Sequence, residues 1–125
     1  MSTTTQAPQQ LDPAASIHAE TLGQAKGRGR MQGRRIIVVG AGQRQVVDQD
    51  PPIGNGRAIA MLCAREGAHV ACIDNRKDAA EATVAQITAE GGKAFAEVMD
   101  VGDSAAIGPM VQKCTQTMGG LDGLA

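Results

Sequence analysis

The 125 residues contain no tyrosine, no tryptophan and one phenylalanine. Hydrophobic residues still make up 42% of the chain, so a modest core has to be packed from Ala, Val, Ile, Leu and Met. That composition favours close contact between helices and a sheet over an aromatic centre. Charge of one sign is also lacking. The formal net charge is −1, which gives no global field toward nucleic acid or an anionic membrane, and neither partner is expected. No stretch approaches the ~20 apolar residues of a membrane span, and the first residues lack the apolar centre of a secretory signal. The three cysteines, Cys63, Cys72 and Cys114, form no C-x-x-C pair and stand in apolar settings. They read as reduced thiols of a soluble cytoplasmic protein, with no metal site and no disulfide.

What the sequence does hold is a glycine-rich loop cut in two. The apolar run Ile36-Ile37-Val38-Val39 ends in Gly40-Ala41-Gly42. After the polar stretch Gln43 to Pro52 the glycines resume as Ile53-Gly54-Asn55-Gly56, followed by the helical pattern Arg57 to Leu62. With the stretch 43–52 set aside as an insert, the glycines read G-x-x-x-G-x-G at Gly40, Gly54 and Gly56. Strand, glycine turn, helix is the arrangement that brings backbone N–H groups and the positive end of a helix to a pyrophosphate, and this spacing points to a dinucleotide. Within the insert Arg44 is placed to reach a phosphate, whereas Asp48 and Asp50 should avoid one; the other reading is a loop that bulges into solvent.

Residues 1–33 are Ser-, Thr-, Gln-, Pro- and Gly-containing with scattered Leu and Ile, and are expected to form a flexible leader, with a short helix at 14–24 as the most it would form. Its basic end, with Lys26, Arg28, Arg30, Arg34 and Arg35, reads as a solvated tail, an electrostatic contact or part of a targeting peptide, and Met31 is a candidate natural start. From 34 to 125 the order is strand, loop, helix, strand, helix, strand, helix, strand. Ala68 to Ile73 is a nearly continuous apolar run, as expected of a parallel strand covered on both faces. Ala80, Val84 and Ile87 fall on one helix face before Gly91-Gly92, and Lys93 to Met99 is the third strand. Ile107, Val111, Cys114 and Met118 share a face of the last helix, about Asp103 to Met118. There Pro109 implies either a kink or a regular part that begins at the proline. Leu121 to Ala125 begins a fourth strand. The expected fold is α/β, a doubly wound, Rossmann-like parallel sheet of order 3-2-1-4, incomplete with three strands and the start of a fourth. At this length the sequence is expected to be part of a longer protein.

Asp74 closes the second strand about 24 residues after Gly40 once the insert is discounted. A carboxylate there accepts from ribose hydroxyls and repels a 2′-phosphate, favouring NAD over NADP. Arg76, two residues on, leaves NADP open, since a guanidinium can pair with that phosphate. Asp100 and Val101 follow the third strand at the same edge, where adenine is received in such folds, although Asp100 also suits a turn cap.

In this order the residues resemble the amino-terminal half of the short-chain dehydrogenase/reductase family. The resemblance runs from about Gly33 to Ala125. It is carried by the split glycines, Gly56-Arg57-Ala58-Ile59-Ala60, Ala64 to Val70, Asp74, Gly91-Gly92-Lys93-Ala94, Asp100-Val101 and Leu121-Asp122-Gly123-Leu124. It implies that Gly40, Gly54, Asn55 and Gly56 form the pyrophosphate turn, that Asp74 is the ribose acid, and that Asp100 with the Val101 backbone contacts adenine. Val39, where the family often has threonine, and the insert are departures. The resemblance also implies hydride transfer between a nicotinamide cofactor and a small alcohol or ketone in a complete form, which is usually a homo-oligomer. Family chemistry uses a tyrosine, a lysine four residues later and usually a serine. None can be placed here, so no catalytic residue is assigned and the chain alone is expected to be inactive. His18 and His69 have no partner spacing and read as non-catalytic. Two other classes fit the glycines and the strand-end acids: a non-catalytic nucleotide-binding module and a fragment of an S-adenosylmethionine-dependent methyltransferase.

Overall fold

A computed structural model describes residues 25–44 and 52–125. The short helix expected at 14–24, His18, Asp48 and Asp50 lie outside the described residues. The elements alternate: β1 (Arg35–Val39), α1 (Asn55–Arg65), β2 (His69–Asp74), α2 (Lys77–Ala89), β3 (Lys93–Val98), α3 (Ser104–Met118) and β4 (Gly123–Leu124). All strand pairs are parallel and the sheet order is β3-β2-β1-β4, the order expected from the sequence.

The sheet forms here because its two central strands can be buried on both faces. Alternate side chains of β1 and β2 feed two separate cores. Ile36, Val38, Val70 and Cys72 pack with Ala60, Met61 and Ala64 of α1 and Ile87 of α2. On the opposite face Ile37, Ala71 and Ile73 pack with Met110, Cys114 and Met118 of α3. Alanines at the contacts let the helices approach closely, and flexible methionines fill the remainder in place of aromatic rings. In α2 the expected stripe of Ala80, Val84 and Ile87 holds, and the fully buried Thr83 joins it.

The last helix corrects one expectation. It runs from Ser104 through Pro109 to Met118, so its regular part does not begin at the proline. Asp103 caps it, its side chain accepting from the Ala105 N–H at 3.2 Å, and Gly119 ends it at φ 78°, a left-handed conformation that glycine adopts without penalty. Beyond it, Arg35 clamps the start of β4 by donating to Asp122 at 2.8 Å and to the Gly119 carbonyl at 2.7 Å. That guanidinium holds the Asp122 carboxyl below its usual range. Pairing with β1 continues past β4 through Ala125, whose carbonyl accepts from Val39 N–H at 2.8 Å.

Nine residues of the expected leader, 25–33, are described, and they lie against the carboxyl end of α1. Glu66, whose side chain is 10% exposed, accepts from the backbone N–H groups of Arg28 and Arg30 and from the Arg30 guanidinium, the last at 2.9 Å. Met31 N–H donates to the Glu66 carbonyl at 2.9 Å. These hydrogen bonds, led by the Arg30 side chain, lower the Glu66 pKa from 4.5 to about 2. A folded-state pKa depressed in this way contributes stability above the unfolded value that is lost as pH falls through the folded one. The stability difference between the chain and its Glu66→Gln variant is therefore expected to shrink between pH 4.5 and about pH 2. Thermal unfolding across that range measures it, and a difference independent of pH would contradict the assignment.

Candidate functional site

The site is built where β1 stops. Gly40 has φ 74°, a conformation open to glycine and strained for other residues, and it turns the chain off the strand. The N–H groups of Gly40 and Ala41 both donate to the Ile73 carbonyl, at 2.8 and 3.0 Å, which fastens the turn to the end of β2. The next N–H, that of Gly42, donates to Asp74 Oδ2 at 2.9 Å. Gly42 has no room for a side chain: a Cβ would come within 2.5 Å of Ala79 Cβ and 2.8 Å of Asp74 Oδ2. Gly42 was in view in the sequence as part of Gly40-Ala41-Gly42, but the spacing rule selected the other glycines.

The two halves of the split motif do meet. A Cβ on Gly56 would collide with the Gly40 carbonyl oxygen, so glycine at 56 is what permits α1 to begin against the end of β1. Gly54 is the N-cap of α1 in an extended conformation, φ −69° and ψ 151°, and Asn55 is the first helical residue. Among the described residues, the nearest atom to a Cβ on Gly54 would be Gln43 Cγ, at the ordinary distance of 3.6 Å. Nothing in the packing of the described residues requires glycine there; the requirement would come from a ligand approaching the backbone. The Gly54 N–H donates to Gln43 Oε1 at 3.0 Å, and no side chain caps the helix among the described residues. The first-turn N–H groups of a helix have no intrahelical acceptors, so this end of α1 suits an anion.

Asp74 stands at the carboxyl end of β2, half-buried, with Oδ2 held by Gly42 and Oδ1 accepting from the Arg76 N–H at 3.0 Å. It lines a cleft of about 480 Å³ together with Gly42, Gln43, Arg44, Asn75 and Arg76. The guanidinium of Arg76 pairs with Asp78 at 2.9 Å, both side chains being exposed. Arg44 thus stands beside the acid, and residues 45–51 of the insert are outside the described part. The register of β3 with β2 pairs Val98 with Asp74, which brings Asp100 and Val101 to the same edge of the sheet. There Asp100 accepts from the Gly102 N–H at 2.8 Å, forming its own turn, and Val101 is exposed. His69 sits at the opposite, amino end of β2 with its ring 5.5 Å from that of Phe95, and burial with the nearby Lys93 lowers its pKa.

Sequence reasoning missed Thr83 and Arg57. The Thr83 hydroxyl lies between the Ala41 carbonyl and the Arg57 guanidinium, at 2.8 and 2.9 Å. The available signal was a lone polar residue within the apolar stripe of α2.

Residues 52–125 match the family model of the short chain dehydrogenases. The chain is 35% identical over 92 residues to 2,3-dihydro-2,3-dihydroxybenzoate dehydrogenase of Bacillus subtilis, covering 74% of this chain and 31% of that protein. Its structure is similar to hydroxysteroid dehydrogenase from Escherichia coli, with a TM-score of 0.66, 30% identity and coverage of 77% of this chain and 37% of that one. A structure of 7 alpha-hydroxysteroid dehydrogenase with NADH and 7-oxo glycochenodeoxycholic acid matches with TM-score 0.66 and 30% identity, over 77% of this chain and 34% of that one. The chain therefore spans about a third of the length of these relatives, and neither the methyltransferase nor the stand-alone module is favoured. No helix among the described residues is long and apolar enough to cross a membrane. A parallel 3-2-1-4 sheet, a glycine turn that closes only because Gly56 lacks a side chain, and a family match over 52–125 agree with one another, and the chain belongs to the short chain dehydrogenase family.

Proposed function

We propose that this chain supplies the NAD-binding half of an oxidoreductase that moves a hydride between nicotinamide C4 and a small alcohol or ketone. The observation that carries the reading is the junction of the glycine turn with Asp74: the Gly42 N–H holds the carboxylate in a cleft lined by the glycine turn and the start of α2. These residues fit the cofactor. Gly40, Gly54, Asn55 and Gly56 would bring backbone to the pyrophosphate, Asp74 would accept from the adenosine ribose hydroxyls, and Asp100 with the Val101 backbone would border the adenine. NAD is favoured over NADP because Asp74 faces the cleft as a carboxylate while the Arg76 guanidinium is engaged by Asp78. The bound cofactor supplies hydride chemistry; this part of the protein binds and orients it. The 125 residues hold no tyrosine, so this part is assigned no proton-transfer residue; the protein is read as cytoplasmic, in a family whose complete members are usually homo-oligomers.

Fluorescence titration of the chain with NADH, set against calorimetry with S-adenosylmethionine, tests the reading. Saturable NADH binding with no heat from S-adenosylmethionine is the expected result; the reverse would replace it.

A further inference from the structure

We propose that Thr83 is a positioning residue for the cofactor site, whose buried hydroxyl fixes the peptide plane that ties the Asp74 carboxylate to the glycine turn. Thr83 has no solvent exposure. Its Oγ1 accepts from Arg57 Nε at 2.9 Å, which occupies a lone pair and turns the hydroxyl proton toward a carbonyl. Two carbonyls are in reach: that of Ala79 in its own helix at 3.3 Å and that of Ala41 in the glycine turn at 2.8 Å. The shorter bond is the one that leaves the helix.

The Ala41 carbonyl and the Gly42 N–H belong to the same planar peptide unit. At one end Thr83 donates to the oxygen, and at the other the N–H donates to Asp74 Oδ2 at 2.9 Å. A plane held at both ends cannot rotate about its flanking bonds, so α2 sets the direction of the donor that holds Asp74. Ala41 is fully buried, so removing the hydroxyl leaves its carbonyl without that donor instead of passing it to bulk water. The freed plane can then turn, and Asp74 keeps only the Arg76 N–H. Arg57, the third residue of α1, completes the tie between the helix that begins at the glycines and the helix that carries Thr83.

This inference rests on Asp74 being the ribose acid, and the test separates the two. The full chain and its variants are titrated with NADH and with NADPH, and their thermal unfolding is recorded. Failure of the unsubstituted chain to bind NADH would overturn the site reading and this proposal with it. Given that binding, Thr83→Val is expected to weaken NADH about tenfold and NADPH about twofold, because the hydroxyl acts through Asp74. Thr83→Ser, which keeps the hydroxyl, should restore NADH to within about twofold. Unchanged NADH affinity in Thr83→Val, or equal losses for the two nucleotides, would overturn the positioning role. Since the added methyl of valine would crowd the Ala41 carbonyl, Thr83→Ala is read beside it. If neither variant unfolds cooperatively while Thr83→Ser does, the hydroxyl holds the fold and the proposal is overturned.

Discussion

A Gly56→Val variant is expected to lose nicotinamide dinucleotide binding by at least about a hundredfold, equivalent to ~2.7 kcal/mol, while keeping a cooperative unfolding transition. The first atom of any side chain at 56 would strike the Gly40 carbonyl oxygen. That oxygen cannot retreat easily, because the N–H groups of Gly40 and Ala41 are both bonded to Ile73. The strain is relieved by moving the start of α1 away from β1, which withdraws the first-turn N–H groups from the place a pyrophosphate would occupy. Stability should fall by only about 1–3 kcal/mol, the usual cost of overpacking. The β2 and β3 pairing and the core under α3 do not touch Gly56. Titration with NADH and a thermal scan read the two effects separately. Unchanged affinity would mean that the glycines on either side of the insert do not form one binding turn.

That the two halves of the motif meet was legible in the sequence, because a glycine spacing survives an insertion that leaves both flanks in place. The sheet was legible for a similar reason. Strands buried on both faces read as unbroken apolar runs, and Ile36 to Val39 and Val70 to Ile73 feed two cores by simple alternation. Element ends were legible to a residue or two: β2 begins at His69 instead of Ala68, and β3 ends at Val98 instead of Met99. The helix through Pro109 was harder, since the local penalty of a proline competes with the burial of Met110 directly after it and of Cys114 and Met118 one and two turns beyond Met110, and burial prevails. Hydrogen bonds between distant residues were not legible at all. Glu66 holding the backbone of Arg28 and Arg30, and Thr83 holding Ala41, bring together residues tens of positions apart through single polar atoms, which leave no periodicity in the chain. The same limit hid Gly42, whose need for glycine comes from Ala79 and Asp74 and not from its neighbours in sequence.

Asp74→Ala is expected to weaken NADH by about one to two decades and NADPH by less, so that the preference between them narrows or reverses. A hydrogen bond to a charged group is worth about 1.5–3 kcal/mol, which sets the size of the NADH loss. The carboxylate does two things that alanine cannot. It would accept from the ribose hydroxyls, and it bridges the Gly42 and Arg76 N–H groups, tying the glycine turn to the start of α2. The second contribution is common to both nucleotides, so NADPH should also lose some affinity. The first is specific to NADH, because a 2′-phosphate placed at that carboxylate meets like charge. Removing the charge relieves that repulsion and leaves Arg44 on the same cleft to attract the phosphate. Parallel titrations with the two nucleotides at fixed ionic strength measure the ratio directly, and adding salt should weaken the NADPH affinity that the variant retains through screening of that arginine. Equal losses for NADH and NADPH would show that Asp74 acts only as the tie between Gly42 and Arg76, and would remove it from ribose recognition.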